Sequence, residues 1–366
     1  MEFDIQPSAD VASGTVSLPH EMRLGLSALV GQCMQLRSGS VELVLQIKDQ
    51  LEPHQSGALI SKVDYEKIKN QTVQYKILEV TLGCDPEFFI LWNNRRVTAA
   101  TYLPFAGEIG CDGELGELRP TYGRHEDQVV ATLAQLIPQI PNRLQRSQWA
   151  TGFPVDGKKF SYEAHSYYGN VAAGFHVHLG IPPEILNTQR DFSRASMNHM
   201  VQCLDWYLSV PLVPLEVSHE RRIGKSNYGK PGDYRPSNVT LEYRTPGAFY
   251  LRSPRLTRGL LGLALLLTEN IVSRLKVASQ NFVNLHQLSP ADLHEVMPKP
   301  KPEKIKDVLT HPSTKVARLE LDGIRRQLET LTSFDKHREA VNGLFSAVEE
   351  RDQPEANLLL NWKENL

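Results

Sequence analysis

Glycine-rich phosphate loops are missing from this chain. Neither G-x-G-x-x-G nor G-x-x-x-x-G-K-[ST] occurs, which excludes the two commonest backbone cradles for nucleotide phosphates. Cysteine is scarce: Cys33, Cys84, Cys111 and Cys203 stand at no regular spacing, which argues against a disulfide framework and for a reducing compartment. An excess of one charge is lacking too. The formal net charge of −2 gives no general attraction to nucleic acid or anionic membrane, and no aromatic-basic stripe marks a nucleic-acid surface. The opening MEFDIQPSAD has no basic and apolar signal regions, and the most apolar stretch, 260–267, is short for a bilayer span. A cytoplasmic protein without membrane attachment is expected.

What is present is an ordinary globular composition, 41% hydrophobic and 22% charged, in a chain long enough for roughly two to three domains or one large domain with appendages. The first 75 residues carry weak signals: a mixed helix over 22–35, a strand over 41–47 and a polar connection through Pro53 and Gly57. They read as a small N-terminal subdomain, 1–75. From Tyr75 the pattern turns β-rich, through YKILEVTLG and DPEFFILW, with Asn93 and Asn94 as a turn. Up to residue 289, strands alternate with amphipathic helices predicted at 125–137, 192–210 and 255–276, the second stopping at Pro211. Helices laid over one side of a sheet make the class α+β. Beyond 290 the run KPKPEKIK reads as a linker or hinge, followed by two charged helices near 313–331 and 334–351 in a C-terminal region, 290–366.

Four strand-like stretches each carry two polar residues two apart: Asp85 and Glu87, Glu117 and Arg119, His176 and His178, Glu242 and Arg244. Side chains at i and i+2 of a strand share a face. Four such strands in one sheet line that face with acids, imidazoles and guanidiniums, which is costly to bury unless partners or a metal neutralise it. In GCDPEFFILW, Pro86 suits a strand start or an edge. The segment GEIGCDGELGELRP offers Glu108, Asp112, Glu114 and Glu117 between glycines that let an acidic loop approach a hard cation. Its spacing does not fit a calcium-binding helix-loop-helix. These acids, with one imidazole, suit magnesium or manganese better than zinc. Upstream of LEYRTPG lies a basic loop with Arg221, Arg222, Lys225, Lys230 and Arg235, suited to binding phosphate oxygens. Arg222, Lys225 and Arg235 are taken as nucleotide-binding candidates.

DPEFF, GFHVHLG and LEYRTPG, in that order, resemble the metal and nucleotide strands of the glutamine synthetase and glutamate-cysteine ligase superfamily. More closely, they resemble its phage and bacterial branch of carboxylate-amine ligases, or amidoligases, and NYGKPGDYR looks like the loop before the last of these strands. The resemblance covers about 83–247. It implies a curved antiparallel sheet forming a funnel with helices outside, ATP at one end and acceptors at the other. It further implies that Glu87, Glu117 and an acid near Asp112 hold one magnesium, that Asp85, His176 and Glu242 hold a second, and that His178 and Arg244 contact ATP phosphates, aided by Arg235. Asp85 stands where the family has Glu, and Asp112, Glu114 and Glu108 compete for one position. The expected activity is ATP-dependent amide formation through an acyl phosphate, from small-molecule or peptide carboxylates and amines. A metal-dependent hydrolase and a phosphagen-type kinase on the same scaffold are the alternatives. Whether the chain forms a homo-oligomer is open.

Overall fold

In strand Thr81–Trp92 the period-two pattern assigns each side chain to a face. Leu82, Cys84, Phe88 and Ile90 enter the main hydrophobic core, so Gly83, Asp85 and Glu87 point the other way. The computed structural model describes residues 4–26, 28, 30, 32–49, 57–69, 73–145, 155–181, 194–224, 228–237, 240–279, 289–311 and 314–362. Within it, Thr81–Trp92 is the spine of an eight-stranded antiparallel sheet that curls into a half-barrel. The order across the sheet is Tyr234–Pro236, Thr240–Tyr243, Phe175–Gly180, Thr81–Trp92, Leu115–Leu118 and Ile109–Asp112. Arg95–Val97 and Phe160–Glu163 pair with the far end of the spine.

One face of this sheet is closed by apolar side chains, Phe175, Val177, Leu179, Leu241 and Tyr243 among them. Helix Pro254–Ser279 covers it. That helix is long and apolar enough to cross a membrane, yet 94% of its apolar window is buried inside the protein, so its hydrophobicity is accounted for as core. Helices Pro290–Val296, Pro302–Thr310, Thr314–Glu329 and Phe334–Glu350 send Leu293, Ile305, Ile324, Leu344 and Phe345 into the same core. The α+β class and the outer helices expected from sequence are thus present.

The N-terminal residues form a six-stranded sheet ordered Ile5–Ser8, Ala58–Ser61, Thr15–Leu18, Val41–Asp49, Cys33–Ser38 and Gln74–Leu78. Val16, Met34, Leu45, Ile47 and Ile60 give it a hydrophobic cluster of its own.

Several local expectations are corrected. The helix expected over 22–35 is confined to His20–Gly25, and Cys33–Ser38 is a strand hydrogen-bonded on both sides, where neighbouring strands decide the outcome. Pro211 does not stop the helix. It stands just past the π-helical turn Asp205–Ser209, where the i→i−4 bonding has already lapsed, and the helical run goes on through Val210–Leu212 and Val213–Leu215. The Lys-Pro run is no free linker, because Pro302 opens a helix. Pro86 lies within the central strand rather than at an edge. Pairing with Leu115–Leu118 stops at Glu87, the residue before Pro86 in that ladder, so the absent donor interrupts nothing.

Candidate active site

Cross-strand neighbours share a face, and the register stacks the polar residues of four strands into successive rows. In the first row Glu117 stands opposite Glu87. The Glu87 N–H donates to the Gly174 carbonyl at 2.9 Å, and its carboxylate accepts the Gly174 N–H. One step along, Asp85 stands opposite His176. In the next row His178 lies between Gly83 and Glu242, and Glu242 stands opposite Arg235. The strand alternation read in the sequence therefore brings Asp85, Glu87, Glu117, His176, His178, Glu242 and Arg244 onto one face.

Asp85 Oδ1 is 2.9 Å from His178 Nε2 and 3.5 Å from His176 Nδ1. Glu242 Oε1 lies 3.2 Å from Arg244 Nε and 3.8 Å from His176 Nδ1, and its Oε2 is 3.2 Å from Arg235 Nη1. Arg235 reaches in from solvent, its side chain 64% exposed. Glu117 is paired with Arg119. His176 Nε2 is buried with no hydrogen-bond partner among the described residues. It faces Gly174, where a Cβ would collide with it and lie 2.8 Å from Arg221 Nη2.

The electrostatics divide the acids. Burial works to raise the Asp85 carboxyl, but hydrogen bonds and charges from His176 and His178 outweigh it and hold Asp85 below the usual range. The converse effect appears on His178: burial lowers its pKa, and the Asp85 carboxylate more than reverses this. Glu87 is pushed up by burial, against the pull of His176, the Gly174 N–H and Arg221. Glu117 is pushed up to about 7 by burial and by the charge of Asp85, with Arg119 opposing. Glu87 and Glu117 thus share a buried strip where negative charge is under-compensated.

Not every candidate joins this face. Arg222 is buried in an ion pair with Glu216, which also accepts the Tyr250 hydroxyl at 3.1 Å. Lys225 lies outside the described residues. Of the competing acids, Glu114 pairs with Arg96 at 3.3 Å, whereas the charge of Asp112 bears on both Glu87 and Glu117. Asp112 and Glu114 line a cavity of about 200 Å³ with Glu87, Gly174, Arg221 and Tyr228.

Three residues not taken as nucleotide or metal candidates stand here. Arg221, not Arg222, faces the cavity, and its guanidinium donates to the Thr245 and Arg244 carbonyls at 2.7 and 2.8 Å. Burial lowers its pKa to about 10. The Tyr228 ring lies under Arg244, 5.1 Å from Cζ to centroid. Tyr122, 71% exposed, is held beside Gly83 by the paired bonds between Leu82 and Gly123. A Cβ on Gly83 would sit 3.5 Å from His178 Cβ and 3.6 Å from Tyr122 Cβ, so these three residues are neighbours on the site face. No sequence signal marked Tyr122, because its exposure and the pairing of Gly123 with Leu82 are properties of the fold.

Residues 82–339 match one family, the phage phiEco32-like COOH.NH2 ligase-type 2 proteins. The chain belongs to that family. No curated protein sequence matches it. Among solved structures it is similar to a bifunctional glutathione synthetase from Pasteurella multocida (TM-score 0.35, 11% identity, covering 75% of this chain and 56% of that one). It is also similar to GmaS in an ADP complex (TM-score 0.34, 10% identity, 71% and 73%). A third is PafA, the ligase of the prokaryotic ubiquitin-like protein Pup (TM-score 0.36, 10% identity, 77% and 67%). The chain therefore spans little more than half the length of the glutathione synthetase.

Among the described residues, the one His and carboxylate group whose ligand atoms all lie within 4.8 Å is elsewhere: His125, Glu126 and His337. The site acids are spaced more widely. His337 is occupied at both nitrogens, Nδ1 2.8 Å from Glu126 Oε2 and Nε2 3.2 Å from Glu269 Oε2. With Lys336 on Glu269, a protonated His337 balances both acids, and the group acts as a strut between helices Glu126–Leu136, Pro254–Ser279 and Phe334–Glu350.

Proposed function

We propose that this ligase couples a carboxylate to an amine with ATP, through an acyl-phosphate intermediate. In this reading a carboxylate oxygen bonds to the γ-phosphorus, the bond from that phosphorus to the β,γ-bridging oxygen breaks, and ADP leaves. The amine nitrogen then bonds to the acyl carbon, loses a proton, and phosphate departs with the carbon–oxygen electron pair. The observation that carries it is the convergence of Asp85, Glu87, Glu117, His176 and Glu242 on one sheet face, with Arg244 and Arg235 at its rim.

The residues fit divalent cations. Two glutamates raised by burial, and a His176 Nδ1 set 3.5 Å from Asp85 and 3.8 Å from Glu242, are ligands that a cation would satisfy. We assign Glu87, Glu117 and Asp112 to one magnesium or manganese, and Asp85, His176 and Glu242 to a second. Bound there, such ions would neutralise phosphate oxygens and the charge on the transferring group. The chain's own cations act beside them: Arg244, Arg235 and His178 bind phosphate oxygens, and Asp85 holds the His178 ring in place. The exposed Tyr122 ring, beside Gly83, suits a nucleobase, since bases stack on aromatic rings. Gly83 lies four residues along the spine from Glu87, about 13 Å at strand rise. That orientation leaves the cavity at Glu87 and Arg221 for the carboxylate and amine, whether small or peptide. The separate N-terminal cluster supports a distinct N-terminal module, whose last strand, Gln74–Leu78, carries it past residue 75.

The test is ADP and phosphate release from ATP with magnesium or manganese, with pooled carboxylates and amines supplied or withheld and products weighed by mass spectrometry. ADP release requiring both pools, with a product lighter by one water, is expected, and Glu87→Ala should abolish it. ADP release indifferent to amine would make the enzyme a kinase, and hydrolysis without ATP would replace the ligase reading altogether.

A further inference from the structure

Asp205 is a charged residue inside the apolar segment LDWYLSV, it is 1% exposed, and no part of the chemistry above uses it. It opens a five-residue π-helical turn, Asp205–Ser209, a local departure from the α-helix that recurs at functional sites. Its Oδ1 accepts the Tyr243 hydroxyl at 2.6 Å and the Thr245 hydroxyl at 3.0 Å. Its Oδ2 accepts the Gly232 N–H at 2.6 Å. Burial pushes the carboxyl up to about 6, and these three donors and Arg222 keep it from rising further. The three donors favour its ionised form, so the carboxylate depends on all of them.

Those donors come from two places that matter. Tyr243 and Thr245 flank Arg244 on its strand, and Gly232 belongs to the basic loop that carries Tyr228 and Arg235. The Thr245 hydroxyl also lies 3.2 Å from the Lys230 carbonyl, and the Arg244 N–H donates to the Asp233 carbonyl at 3.1 Å. Both ends of the loop touch the site, Tyr228 under Arg244 and Arg235 on Glu242. We propose that Asp205 is a positioning residue that clamps the basic loop to the Glu242 and Arg244 strand, and so fixes the spacing of the phosphate-binding cations. The clamp follows from geometry alone, while its effect on nucleotide rests on the ATP reading.

Asp205→Asn tests it, because the amide can still accept the two hydroxyls through its oxygen but turns an NH₂ toward the Gly232 N–H. Amide hydrogen exchange over 228–236, measured without nucleotide, should accelerate roughly tenfold or more, as loss of a bond to a charged acceptor does, while the Thr81–Trp92 strand is unchanged. KM for ATP should rise about tenfold with kcat within a few-fold of wild type. Thr245→Val, which removes one donor and leaves the carboxylate, should move both readouts the same way by less, and it serves if Asp205→Asn does not fold. Unchanged exchange in the loop overturns the clamp. Loosened exchange with an unaltered KM in a wild type that does bind ATP overturns its role in positioning. A wild type that binds no ATP sinks the ligase reading instead, and the exchange result still decides the clamp.

Discussion

Replacing His337 by Leu should destabilise the protein by about 3–5 kcal/mol, the range for removing one partner from a buried charge pair. His337 is fully buried between Glu126 and Glu269, which are 1% and 9% exposed. Without the imidazolium, Glu269 keeps Lys336, and Glu126 keeps the His125 ring, 3.5 Å from its Oε2, and the charge of Arg258. Burial on its own lowers the His337 pKa, but hydrogen bonds and charge from the two glutamates reverse this and raise it above 6.5. A raised histidine contributes stability that is fully present below 6.5 and is lost as pH climbs through its folded value. Glu269 is opposed by burial yet lowered by His337 and Lys336. A lowered carboxyl contributes stability present above 4.5 and lost as pH falls through its folded value. The network therefore contributes most between about 4.5 and 6.5 and fades on either side. Urea unfolding of wild type and His337→Leu across pH 4 to 9 measures this as the difference between the two curves. That difference should be largest near pH 5 to 6 and shrink above 7. A difference under 1 kcal/mol at pH 6, or one that grows toward pH 9, would refute a charged His337.

Gly174→Ala should abolish ADP release while leaving the melting transition cooperative, because its Cβ would displace His176 and Arg221 at the centre of the site; activity within twofold of wild type would show that His176 Nε2 is not needed where it stands. Tyr122→Ala should weaken ATP by roughly 10- to 100-fold, as loss of a stacking ring does, and leave tripolyphosphate binding unaltered. Equal losses for both ligands, read by competition calorimetry, would move the base away from the Tyr122 ring.

What was legible in the sequence is what strand periodicity encodes. Spacing of two puts Asp85 with Glu87 and His176 with His178 wherever the strands lie, so the site face could be read before the fold. Cross-strand register is a long-range property, and with it came Glu117 opposite Glu87 and Arg235 opposite Glu242. Pro86 was misplaced because a proline is judged against a full ladder, and this ladder ends one residue away. Asp205 carried a signal, an acid in an apolar run, whose partners lie 27 to 40 residues downstream. The arginine pair shows the limit most plainly. Arg221 and Arg222 are adjacent on helix Glu220–Ile223, and a helix turns about 100° per residue, so two neighbours cannot serve the same surface. Only packing decides which one turns inward to Glu216 and which to the cavity. Glu216 is itself buried and lies six residues before Arg222 in a stretch that begins outside the helix. Its demand for a counter-charge takes Arg222 and leaves Arg221 with its charge acting on Glu87.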